Sequence, residues 1–145
     1  MSFEIFKIYR QLIIPSEEDN PYDKTDAQLS LKKRIPGICT IYIMQLYERG
    51  HKFSKITHDS QCTQYLGSLE GKEWLLAVAP SSEKDYPDIT WLKSFRIPSN
   101  CFVDEEIGTW HAGPYFYHEF VNFYNLELSD TNIIEHFTYG LENYR

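Results

Sequence analysis

The sequence is short of cations and of cysteine. It carries 14 Lys and Arg against 21 Asp and Glu, a formal net charge of −7, whereas gripping a phosphate backbone requires clustered Lys and Arg. Nucleic acid is therefore excluded as an expected partner. The one basic cluster, "LKKR" at Leu31 to Arg34, reads as a solvated loop. The cysteines are Cys39, Cys62 and Cys101: odd in number, widely spaced and without a Cys-x-x-Cys, they suggest neither a disulfide framework nor a zinc knuckle. No run is long and apolar enough to cross a bilayer. The opening "MSFEIFKIYR" alternates where a signal peptide needs a continuous apolar stretch. The expectations are a reducing, cytoplasmic setting and no membrane partner. A helical apolar period of useful length is also missing, so little helix is expected.

Aromatic residues are abundant. They make up 16% of the 145 residues, with eleven tyrosines and nine phenylalanines, and rings pack well on pleated sheets. The length suits a single domain spanning residues 1–145. Residues Phe3 to Leu12 alternate as a strand does, and Pro15 to Gln28 are polar with two prolines. An exposed loop is expected over residues 15–34, long enough to serve as a lid. Residues Gly37 to Gly50 read as a buried strand. Strands over Cys62 to Leu69 and Glu73 to Ala79 are joined by a tight turn at "EGK". Further strands are expected over Ile89 to Pro98, Ile107 to His111 and Glu119 to Leu128, with turn chemistry and a single helical turn in "SDTNIIEHF". Short strands broken by Gly and Pro predict an all-β sandwich or barrel.

Such a fold takes its ligand where inward side chains of several strands converge. His58, Gln64 and His111 are the candidates, each on or beside a strand and near a Gly-bearing turn. His111 lies in "GTWHAGPYF", where the alternative to a site role is a strand-end histidine bonded to a backbone carbonyl. Trp110 and Phe116 read first as core. Cys62 has no base beside it in sequence and reads as a small buried side chain.

The spacing of these residues resembles the metal-binding cupins, a family of small β-barrels. "HDSQCTQYLGSLEG" carries His58, Gln64 and Gly71 in the outline of the first cupin motif, and "GTWH" carries Gly108 and His111 in that of the second. The sequence departs at Ile56, Gln64 and Tyr115, where the motif has His, Glu and Asn. Two imidazoles and a neutral amide make a poorer metal cage than three imidazoles and a carboxylate. A divalent metal on His58, Gln64 and His111 is thus left open, and no cofactor is expected.

Taken together, "HDSQCTQYL", "EWLLAVAP", "FRIPSN", "GTWHAGPYF" and "FYNLELSDTN" resemble the ureidoglycolate lyase family, also called ureidoglycolate hydrolase, over roughly Phe53 to His136. The nearest pattern is its plant and cyanobacterial-type subgroup. Cys62 and Ala112 stand where several bacterial enzymes of the family have Gly and His. The resemblance implies a cupin-like double-stranded β-helix, or jelly-roll barrel, and cleavage of ureidoglycolate to glyoxylate and urea in purine catabolism and allantoin degradation. It implies His111 and His58 as acid and base, since an imidazole with a pKa near ~6.5 serves either role at neutral pH. Gln64 matches the ureido group with a donor and an acceptor, with Trp110 and Asn122 as further substrate contacts. Lys93, or Arg96 on the opposite face of the same strand, would take the substrate carboxylate. Exposed edge strands suggest a homodimer. Two other functions stay open: a non-catalytic cupin-like protein binding a small molecule, and a metal-dependent cupin enzyme such as an isomerase or dioxygenase.

Overall fold

The computed structural model describes residues 10–13, 38–48, 50–128 and 136–143. These form ten strands: β1 (Arg10–Ile13), β2 (Cys39–Tyr47), β3 (Lys55–Asp59), β4 (Gln64–Ser68), β5 (Trp74–Ala79), β6 (Lys93–Ile97), β7 (Phe102–Glu105), β8 (Trp110–Tyr115), β9 (Phe120–Leu128) and β10 (His136–Gly140). Two short 3-10 turns, Ile89–Trp91 and Leu141–Asn143, are the only helical elements among the described residues. None is long and apolar enough to cross a membrane. The strands make two antiparallel five-stranded sheets, ordered β1-β7-β4-β9-β2 and β10-β3-β8-β5-β6. The protein is all-β and sandwich-like.

The pairing is nested. β5 pairs with β6, β4 with β7, β3 with β8 and β2 with β9. The tight turn between β4 and β5 is present, with Lys72 N–H donating to Leu69 O at 3.3 Å. Glu70 and Gly71 both have positive φ, 60° and 67°, the backbone of a type I′ turn. It does not close a hairpin, however: β4 and β5 lie in different sheets, so this turn is the corner between them.

Alternation on the strands sets what lies between the sheets. Along β9, Val121, Phe123, Asn125 and Glu127 are buried, while Asn122, Tyr124 and Leu126 are half-buried or exposed. Phe123 packs edge-on to Trp74 at 5.4 Å between ring centres. With Leu76, Val78, Ile97, Val103 and Phe116 they form the main apolar core, where each buried side chain contributes roughly 1.5–3 kcal/mol by leaving water. A second cluster, Ile56, Ala77, Ala79, Trp110 and Ala112, covers the outer face of the β10–β6 sheet.

Several boundaries differ from the sequence reading, each for a physical reason. β2 is an edge strand rather than a buried one: Ile41 and Ile43 are 69% and 58% exposed, so its apolar residues on both faces did not mean two covered faces. Residues Ile89 to Trp91 turn before β6 because the Asp88 carboxylate caps them through Thr90 N–H and hydroxyl. Ile107 and Gly108 belong to a turn, and the strand through His111 begins at Trp110. β8 carries a bulge opposite Leu75 to Ala77. There Gly113 has φ 141°, and a Cβ would stand 3.0 Å from the Leu75 carbonyl oxygen, so glycine is required at that position. The expected strand over Phe3 to Leu12 lies outside the described residues except for its end, as do the loop of residues 15–34 and most of "SDTNIIEHF".

The alternation of β9 can be checked with two neighbouring rings. Phe123→Ala is expected to lower unfolding free energy by ~3–5 kcal/mol, and Tyr124→Ala on the exposed face by less than about 1 kcal/mol. Urea denaturation measures both, and equal losses would contradict the assignment of faces.

Candidate functional site

Most of the interior is hydrocarbon, but one end is polar. On one sheet, Gln64 of β4 stands beside Glu105 of β7 and across from β9, which contributes Asn125 and Glu127. On the other, β3 and β8 place Thr57 opposite His111. Between them lies a cavity of about 510 Å³, within the size range of small-molecule sites. Its polar lining includes Gln64, Glu105, His111, Asn125, Thr57 and Asp59 together with the hydroxyls of Tyr42, Ser54 and Tyr115, and the exposed Lys52 and Lys55 stand at its margin.

The decisive contact joins the two sheets. His111 Nδ1 lies 2.9 Å from Glu105 Oε2, with both side chains largely buried. Nδ1 is also 3.3 Å from Thr109 O. Thr109 O accepts the hydrogen bond, so Nδ1 carries the hydrogen and the neutral ring has its lone pair on Nε2. Glu105 Oε2 stands beside Nδ1 as a charge contact outside hydrogen-bond alignment. A carbonyl that sets the tautomer, with a carboxylate beside the ring to stabilise its cation, lets histidine take up and return a proton.

Behind Gln64 is a closed ring of hydrogen bonds. Tyr42 donates its hydroxyl to Glu127 Oε1 at 3.0 Å and accepts from Asn125 Nδ2 at 2.9 Å. Gln64 Nε2 donates to Glu127 Oε2 at 2.7 Å and to Asn125 Oδ1 at 3.2 Å. Burial, and next the Glu127 charge beside it, push the Tyr42 phenol up to about 12. It is therefore a proton donor, never a base, at neutral pH.

The sequence-derived candidates separate accordingly. Gln64 and His111 line one cavity. His58 does not: its ring lies 4.3 Å from that of Trp110 and stacks on Phe137 at 5.1 Å, on the other side of β3. The inward residues of β3 are its neighbours Thr57 and Asp59, because side chains alternate across a strand. Trp110 is buried in the outer apolar cluster, with Nε1 donating to Ser82 Oγ at 3.3 Å. Asn122 faces outward and accepts from Gln45 Nε2 at 3.0 Å. Lys93 is exposed on edge strand β6 and outside the cavity lining, while Arg96 reaches Glu73 at 3.4 Å. Cys62 is buried and donates to Thr63 O at 3.0 Å rather than lining the cavity.

The metal set of His58, Gln64 and His111 is therefore not assembled. Asp59, Glu105 and His111 share the cavity lining, yet no group of three or more His, Cys, Asp or Glu among the described residues is arranged to hold a metal ion. Five participants are left unassigned by the sequence reading. Asn125 and Glu127 could have been found from Val121 and Phe123, which mark the inward phase of β9. Asp59 follows from the phase of β3. Glu105 sits in the acidic run Asp104 to Glu106, which carries no apolar alternation, and Tyr42 sits on a strand whose two faces looked alike. Compared with family models and with curated proteins, the chain matches none.

The Tyr42–Glu127 bond has a pH signature. Unfolded, the phenol loses its proton near ~10; folded, it does so at about 12. Between these values the native state holds a proton that the unfolded state has lost, so the stabilisation complete below pH ~10 is lost as pH rises toward ~12. The stability difference between wild type and Tyr42→Phe, from urea midpoints, should shrink between about pH 9 and about pH 11.5. A constant difference would contradict the raised phenol.

Proposed function

We propose that the protein is an acid–base enzyme with a cupin-like jelly-roll fold, cleaving a small ureido acid of the ureidoglycolate type to glyoxylate and urea. The fold reading is supported by the nested pairs β2·β9, β3·β8, β4·β7 and β5·β6, which alternate between the sheets as a double ribbon wound on itself would. The observation that carries the function is the His111–Glu105 contact opening on the same cavity as Gln64.

The chemistry needs only one imidazole. His111 Nε2 removes the proton from the substrate hydroxyl, whose electron pair forms the carbonyl of glyoxylate. The carbon–nitrogen bond breaks, its electrons stay on nitrogen, and the imidazolium returns the proton there to give urea. Histidine ends as it began, with Glu105 stabilising the cation between the two steps. The substrate carboxylate is directed to Lys52 or Lys55 at the cavity margin, in place of Lys93.

A non-catalytic binding role is the second reading. It is favoured by the hydrogen-bonded ring, in which both hydrogens of Gln64 and the hydroxyl of Tyr42 are already engaged, a pre-formed wall of the kind that recognises a ligand without moving. The two readings separate in one assay. The enzyme reading expects glyoxylate release that falls ~10²–10⁴-fold in His111→Ala, persists with a chelator, and survives His58→Ala. A ligand-induced rise in Tm without glyoxylate favours the binding protein. Full turnover by His111→Ala would overturn the proposed mechanism.

A further inference from the structure

Gln64 has no N–H to spare. Its two amide hydrogens go to Glu127 Oε2 and Asn125 Oδ1. A carboxylate only accepts, so Glu127 prevents the amide from turning over and bringing its oxygen to that side. What Gln64 retains for the cavity is its carbonyl. Glu127 itself does not line the cavity; it sets the polarity of the wall from behind. The lining adds the carboxylates of Glu105, beside Gln64 on the same sheet, and of Asp59 on the opposite one, acceptors again when ionised. Among these ring members one donor remains, the second Nδ2 hydrogen of Asn125, because the first goes to Tyr42.

We infer that Gln64, held by Glu127, makes its wall of the cavity acceptor-faced, so that the preferred ligands set against it a planar head that only donates: a guanidino or amidino group. The inference rests on the cavity being the ligand site proposed above, and it sharpens the substrate class. A ureido head offers N–H groups along two edges but turns a carbonyl oxygen to the third, and on the Gln64–Asn125 wall that oxygen has only the one Asn125 hydrogen to meet. The hydroxyls of Ser54, Thr57 and Tyr115 and the marginal Lys52 and Lys55 belong to the rest of the lining. A guanidinium replaces the carbonyl by another NH₂, leaves no acceptor unmet, and adds the positive charge that Asp59 and Glu105 attract. Glu127 acts here as a positioning residue, through Gln64, and its effect is on selectivity.

Guanidinoacetate and ureidoacetate, which differ only at that group, are the probes. Calorimetric titration of the full chain at neutral pH should show guanidinoacetate binding more tightly by about tenfold or more, as one badly paired buried polar group implies. In Glu127→Gln the amide of Gln64 can turn, and the preference should fall to less than about threefold. Gln64→Met, equal in length but without the carbonyl, should reduce it likewise, and melting curves establish that each variant is folded. Equal or reversed preference in the wild type overturns the inference, as does an unchanged ratio in either folded variant. Ureidoglycolate turnover together with tighter ureidoacetate binding overturns this inference alone. Binding of neither probe and no turnover overturns both it and the site reading.

Discussion

The gap between two packed sheets, near 10 Å, is bridged at one end by polar atoms. His111 and Glu105 reach from opposite walls and meet at 2.9 Å. An acid buried away from water is tolerated only with a partner, and Glu105 has His111 as one across the gap. The contact accounts for why this end of the interior is not filled with hydrocarbon and why a cavity persists there. The Thr109 carbonyl beside it sets which ring nitrogen keeps its lone pair. Truncating either partner would leave a buried ionisable group, a cost distinct from losing a catalytic one.

The same interior changes character along its length. Leu66, Val103 and Phe123 occupy the inward phase of β4, β7 and β9 at one end, and Gln64, Glu105 and Asn125 occupy it at the other. Each strand therefore serves both packing and recognition with one alternation pattern. The apolar end holds the sheets at a fixed separation, and the polar end inherits that separation as its working distance. Glu127, behind the lining, and Tyr42, within it, then determine what Gln64 and Asn125 present.

All-β architecture was legible from the aromatic content and the short alternating segments, and Gln64 and His111 could be singled out because both stand on strands near glycine turns. What failed was phase. Along "KITHD", His58 is the residue whose chemistry draws attention, yet the strand turns Thr57 and Asp59 inward; a slip of one residue exchanges the two faces completely. The same ambiguity produced Asn122 in place of Asn125. Lys93 continues the inward phase of Phe95 and Ile97, but at the open end of an edge strand that phase leads to solvent. Glu105 was hidden because acidic runs lack the apolar beat that announces a strand. Contacts between sheets, such as His111 with Glu105, depend on which turns are corners, and a tight glycine turn has the same local signature as a corner or as a hairpin.

The nesting of strand pairs has a consequence for how the chain reaches this state. Only β5 and β6 are near neighbours in sequence; β4 with β7, β3 with β8 and β2 with β9 each enclose the pairs before them. Closing each larger loop after the smaller ones limits the entropy lost at every step, so zipping from the β5–β6 centre outward is the natural order. During synthesis β2 emerges early and must wait, with Met44 and Leu46 uncovered, until β9 leaves the ribosome. Its exposure to wrong partners is set by translation time rather than by stability, a kinetic liability characteristic of topologies rich in distant contacts.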